Sequence, residues 1–259
     1  MTRTILDAQL HEIRTDTLKL GTLVATALDL ALQALQSRDQ SLYSQLIESD
    51  RTIDDLRFAI EQLAFQSLTL QQPLGGHDLR FLSSIPSIVA DLERIGDNAA
   101  GTAKVLLLMT PKLPPDMLQV SRNPTVVIDG DQKPLSNHVV KEAFIISKLL
   151  DLGQEAYRVL QGTLHAFEQS DADAARKIWR EDDVVDVCYH LVRHDLMTML
   201  TSIHAIPALQ QDSLIFQRMT YWLWIAHNLE RVGDHCTNIC ERIVFFLEGD
   251  RVILPTEAE

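Results

Sequence analysis

Eight acidic residues stand in four pairs, each spaced by four positions: Asp50 and Asp54, Glu93 and Asp97, Asp182 and Asp186, Glu230 and Asp234. On a helix this spacing puts both carboxylates of a pair on one face. Like charges so placed repel by roughly 0.2–0.5 kcal/mol per pair in a bare helix, and two pairs converging from neighbouring helices repel more. Water and salt, nearby arginines or a bound cation can offset that repulsion. Carboxylate oxygens are hard ligands suited to magnesium, calcium, manganese or ferric iron. The chemistry open to these residues is therefore capture of multivalent cations, more than one where two helices contribute. A single pair on an exposed face is ordinarily a solvated charge pair, since surface charges are common. Arg94 and Arg231, beside the motifs, read as local salt-bridge partners.

Recurrence separates these pairs from ordinary surface charge. Leu-Glu-Arg-Ile-Gly-Asp at 92–97 returns 137 residues later as Leu-Glu-Arg-Val-Gly-Asp at 229–234. Asp50-x-x-x-Asp54 returns as Asp182-x-x-x-Asp186 at an offset of 132, which also aligns Asp39 with Asp171, Leu46 with Ile178 and Leu35 with Phe167. Matching segments in the same order mark an internal duplication. Gly96 and Gly233 recur inside the motifs, although a helix-interior glycine costs about 0.5–1 kcal/mol relative to alanine. Their recurrence points to close helix approach or access for an ion.

The elements that must position these groups are helices. Apolar periodicity predicts them near 4–36, 39–71 and 78–109, then near 137–168, 171–203 and 210–247. Asp39 and Asp171 are N-cap candidates. Leu92, Ile95, Ala99, Thr102, Leu106 and Met109 step by 3, 4, 3, 4, 3, and so do Leu229, Val232, Cys236, Ile239, Ile243 and Phe246. That is the seam of a helical bundle. Counted from it, the paired carboxylates point away from the core. Pro73, Gly75, Gly76 and Pro207 break the chain before the third and sixth helices, and Pro86 is expected to kink the third or delay its start. Five prolines fall between Thr110 and Pro134, marking a linker. The expected fold is all-α: two tandem three-helix bundles, residues 1–110 and 135–249, joined by linker 111–134. Periodicity does not say how the bundles pack on each other.

Other candidates read more plainly. Asp182, Asp186, His190 and His194 form one stripe whose histidines could extend the second site towards zinc or iron, but the first repeat has Phe58 and Gln62 at the histidine positions, so surface histidines are the favoured reading. His227 and His235 flank the second motif, His235 in place of Asn98; a secondary ligand role is open to them but not favoured. Cys236 and Cys240 replace Ala99 and Ala103 and read as small buried residues. Tyr221, Trp222 and Trp224 read as core or interface packing.

The net charge of −13 disfavours nucleic acid and anionic lipid surfaces. Three cysteines do not make a disulfide framework. The N-terminus has no signal-peptide core, and no window is an uninterrupted apolar membrane span, so a cytoplasmic protein that does not cross the membrane is expected. There is no phosphate-binding Gly-Lys-Ser/Thr loop, no His-Glu-x-x-His and no Glu-x-x-His pair of the di-iron type. A non-enzyme is expected. Two alternatives are a phosphate-processing enzyme using a two-metal clamp and a metal-free scaffold docking basic partners.

With Asp-Leu-Glu-Arg-Ile-Gly-Asp at 91–97, Asn-Leu-Glu-Arg-Val-Gly-Asp-His at 228–235 and Asp78-Leu79-Arg80, the chain resembles the PhoU family, regulators of bacterial phosphate uptake. The resemblance runs over nearly the whole chain. It implies a tandem three-helix-bundle fold, with multinuclear clusters of iron, manganese, magnesium or zinc on the bundle surface. The ligands it implies are Asp50, Asp54, Glu93 and Asp97, then Asp182, Asp186, Glu230 and Asp234. It further implies a negative regulator acting between a phosphate ABC transporter and a sensor histidine kinase, as a homodimer or higher oligomer. The second repeat lacks the Asp-Leu-Arg segment, and the linker is long and proline-rich by the family's standard.

Overall fold

A computed structural model describes residues 3–70, 73–109, 137–202, 214–250 and 252. Six helices account for them: α1 (Arg3–Ser37), α2 (Gln40–Leu70), α3 (Gly76–Met109), α4 (Asn137–Gln169), α5 (Ala172–Ser202) and α6 (Ile215–Glu248). The boundaries lie close to those expected from periodicity. The expected linker, Pro207 and the expected start of α6 at 210 lie outside the described residues.

Both predicted caps form. Asp39 Oδ1 accepts the Ser41 N–H at 2.9 Å, and Asp171 Oδ1 accepts the Ala174 N–H at 2.9 Å, satisfying amides that a helix start leaves unpaired. The residues before them, Arg38 and Ser170, take left-handed conformations with φ of 60° and 53°. They occupy equivalent places in the two repeats, so both sharp reversals are made without glycine.

The two seams are buried along their whole length. Within each repeat all three helices pack on one another, α3 most extensively on α2 and α6 on α5. Helices α3 and α6 also pack along each other more extensively than any other pair, and α1 packs on α4. The bundles therefore share one hydrophobic core. Phe246 of α6 meets Phe81 of α3 at 5.4 Å and Phe167 of α4 at 6.0 Å, both edge to face. Helices α1 and α4 close on each other through glycine: a Cβ on Gly21 would collide with Leu164, and one on Gly153 with Leu32. Gly21 and Leu32 sit 132 positions before Gly153 and Leu164, so the contact is made twice, once in each direction.

Helix α3 runs from Gly76 through Pro86 without interruption, so the start is not delayed as expected. Tyr221 and Trp222 are in the core, whereas Trp224 is 51% exposed. Cys236 and Cys240 are core residues, and burial pushes the Cys240 thiol up to about 12. Helix α1 is long and apolar enough to cross a membrane by length and composition alone, and half of its most apolar window is buried within the bundle.

Candidate metal centre

In the first repeat α3 rests on α2 at Gly96, where an added Cβ would come within 3.0 Å of Ile53 Cδ1. This close approach brings Asp50 and Asp54 of α2 beside Glu93 and Asp97 of α3. Their mutual influence records the convergence. Burial pushes the Asp97 carboxyl up, and the charges of Asp50 and Asp54 push it further. Burial raises Glu93 too, with Asp97 and Asp54 adding to it. Two cations temper the group. Lys104 Nζ stands 3.4 Å from Asp50 Oδ2 and lowers Asp97. Arg57, paired with Glu61 at 2.8 Å, lowers Glu93.

The second repeat builds the same groove between α5 and α6. A Cβ on Gly233 would collide with Asp182 Oδ1 and crowd Val185 Cγ1 at 3.2 Å. Val185 is the counterpart of Ile53, so both motif glycines serve the close helix approach anticipated from sequence. Asp186, Glu230 and Asp234 each offer an oxygen within 4.8 Å of the others. Asp182 lies beneath them, its Oδ1 buried without a hydrogen-bond partner among the described residues. Burial, then the charges of Asp186, Asp234, Asp183 and Glu230, push its carboxyl up to about 7. Burial and Asp234 also raise Asp186 and Glu230, against His190 and His227 respectively.

All eight candidates thus gather as two quartets. They do not simply face outward as the seam count implied. Asp50, Glu93, Asp182, Asp186 and Glu230 are part-buried in the interhelical grooves, while Asp54, Asp97 and Asp234 are exposed. The seam count assigns a direction relative to a helix's own core stripe, but a neighbouring helix closing on a glycine covers part of the opposite flank.

Two histidines, His227 beside the motif and His190 of the stripe, border the second quartet. His227 Nδ1 lies 3.2 Å from Glu230 Oε2, and the Tyr189 ring lies tilted against both His190 and His227, with centroids at 5.7 and 6.4 Å. His194 is exposed. His235 does something the sequence did not reveal: it is buried, its Nδ1 3.0 Å from Asp91 Oδ1 of α3. Arg94 pairs with that same Asp91 at 3.2 Å. A charged residue immediately before one motif and a histidine immediately after its duplicate was the available signal.

The donor chemistry fits a multivalent cation. Each groove gathers four carboxylates, and the buried Asp182 Oδ1 of the second has no hydrogen-bond partner among the described residues.

Fold and site together define a tandem three-helix-bundle protein with one carboxylate quartet per repeat. The PhoU domain model matches residues 17–106 and 149–243, and the chain belongs to that family. It is 32% identical over 249 residues to the phosphate-specific transport system accessory protein PhoU homolog of Streptococcus pneumoniae serotype 4, covering 96% of this chain and 97% of that one. It is 28% identical over 243 residues to the phosphate-specific transport system accessory protein PhoU of Escherichia coli K12, covering 94% and 85%. The crystal structure of the phosphate transport system regulatory protein PhoU from Streptococcus pneumoniae superposes with a TM-score of 0.73 at 30% identity, covering 96% of this chain and all of that one. These relatives carry names of accessory and regulatory proteins, in agreement with the expectation of a non-enzyme.

Proposed function

We propose that this chain is a phosphate-transport accessory regulator that binds multivalent cations at its two carboxylate quartets. Its relatives' names support the regulatory half. The observation that carries the metal half is the second groove, where Asp186, Glu230 and Asp234 each offer an oxygen within 4.8 Å of the others beside the buried Asp182 Oδ1, which has no hydrogen-bond partner among the described residues; in the first groove the support is the mutual influence of Asp50, Asp54, Glu93 and Asp97. Asp50, Asp54, Glu93 and Asp97 would hold ions in the first groove, and Asp182, Asp186, Glu230 and Asp234 in the second. A bound ion there supplies positive charge between two helices. The residues use it to pin α2 to α3 and α5 to α6, so occupancy sets the rigidity of each outer face.

In this reading the protein works in the cytoplasm beside a phosphate ABC transporter and a sensor histidine kinase. It dampens the phosphate-starvation response and forms a homodimer. Elemental analysis of chain purified without chelator, with Asp97→Asn and Asp234→Asn variants alongside, tests the metal. Measurable iron, manganese, magnesium or zinc that falls in both variants is expected. No metal, and none taken up on reconstitution, overturns that half. Salt-sensitive partner binding indifferent to chelator would instead support a metal-free docking scaffold. Deletion of the gene tests the regulation: starvation genes should be derepressed in rich phosphate, and unchanged repression would defeat the assignment.

A further inference from the structure

The two grooves share a framework and differ in what surrounds it. At the 132 and 137 offsets, Arg51, Arg57 and Lys104 of the first repeat are replaced by Asp183, Tyr189 and Glu241 in the second. Lys104 and Arg57 reach the first quartet, so it carries part of its own neutralisation. The second quartet has neither, and Glu241 is instead engaged by the Trp179 indole N–H at 3.2 Å. The same offsets replace Phe58 and Ala90 with His190 and His227. His227 shares a helix with Glu230 and His190 with Asp186, at spacings that put each imidazole on the flank of the quartet. His227 Nδ1 lies 3.2 Å from Glu230 Oε2, His190 is near enough to lower the Asp186 carboxyl, and Tyr189 lies against both rings.

We infer that the second quartet is the tighter cation site and takes a borderline transition-metal dication through mixed oxygen and nitrogen ligation, with His227 and His190 as its nitrogen donors. This rests on the metal-binding reading above. Carboxylates alone suit magnesium, calcium and manganese, whereas imidazole suits zinc, iron, nickel and cobalt-like ions. The first quartet keeps an all-oxygen donor set beside a lysine and an arginine, which weakens it and restricts it to hard cations. The second lacks those two cations and adds two softer donors. The second also holds the buried Asp182 Oδ1, which has no hydrogen-bond partner among the described residues.

The test is titration of the full-length, metal-stripped chain with Co2+, read by equilibrium dialysis and by visible absorption, whose bands move with nitrogen ligation. Tight binding should survive Asp97→Asn and be lost in Asp234→Asn. The double variant His227→Gln/His190→Gln should weaken it about tenfold or more and move the bands, with Mn2+ uptake by the first quartet unchanged. Circular dichroism verifies that each variant is folded. The unmodified chain gives an independent reading, because Co2+ at one equivalent should shift the imidazole proton resonances of His227 and His190. A tight class that follows Asp97, or that ignores both histidines in bands, affinity and resonances, overturns the inference while leaving metal binding intact. Absence of any Co2+ or Mn2+ uptake by the unmodified chain overturns both.

Discussion

His235 Nδ1 lies 3.0 Å from Asp91 Oδ1, with only 6% and 8% of the two side chains exposed, and so one buried polar pair joins the repeats where α3 and α6 cross. At the 137 offset the counterparts are Asn98 and Asn228, so the duplication has been made unequal at this point. Removing one member of a buried pair leaves the other without compensation. Asp91→Ala should cost about 2–4 kcal/mol by urea unfolding. A double-mutant cycle with His235→Ala should return a coupling of at least about 1 kcal/mol; additive effects would show that the contact contributes nothing specific.

The motif glycines should respond unequally to alanine. At Gly233 an added methyl meets the confined Asp182 carboxylate and the body of Val185, and at Gly96 it meets the free end of Ile53 at 3.0 Å. Overpacking of the first kind costs about 1–3 kcal/mol. At Gly96 the helix-propensity gain of roughly 0.5–1 kcal/mol offsets the smaller crowding. Thermal unfolding of Gly233→Ala and Gly96→Ala checks the order, and Gly96→Ala should also retain more of its cation binding.

Metal-free protein should lose stability between acid and neutral pH. The Asp182 carboxyl is raised from 3.8 to about 7, chiefly by burial, and Asp186, Glu230, Glu93 and Asp97 are raised in the same direction. A carboxyl raised on folding binds more protons in the native state. Its contribution is fully present below the unfolded value and is lost as pH rises through the folded one. The melting temperature in chelator should fall from pH 5 to pH 8, and added divalent cation should restore it at pH 8. Asp182→Asn should flatten the profile and raise the pH 8 melting temperature by a few degrees, on the order of 1 kcal/mol after allowing for its partial solvent exposure. An unchanged slope in Asp182→Asn would remove this carboxyl from the account.

The shared core predicts one cooperative transition in place of two. Gly153→Ala would drive a methyl into Leu32 where α4 crosses α1, at about 1–3 kcal/mol. Because that contact links the repeats, calorimetry should show the single transition of the unmodified chain moved down as a whole. Melting of only one repeat would mean the interface is weaker than its packing implies.

Local chemistry was legible in the sequence wherever its spacing matches the period of the element that carries it. Helix limits followed from the 3.6-residue period and from Asp39 and Asp171, whose side chains cap the amides immediately after them. The duplication, the buried seams and the eight carboxylates followed from repeat and spacing alone. What neighbouring helices do to one another was not written in any one helix. The partial burial of the quartets depends on how far α3 and α6 sink onto α2 and α5 at a single glycine. The meeting of Tyr189 with His227, the pairing of Asp91 with His235 and the fusion of two bundles into one core all join residues from separate helices or separate repeats. Periodicity along a chain reports which flank a side chain occupies; only tertiary packing decides what meets it there, because that distance is set by the other helix.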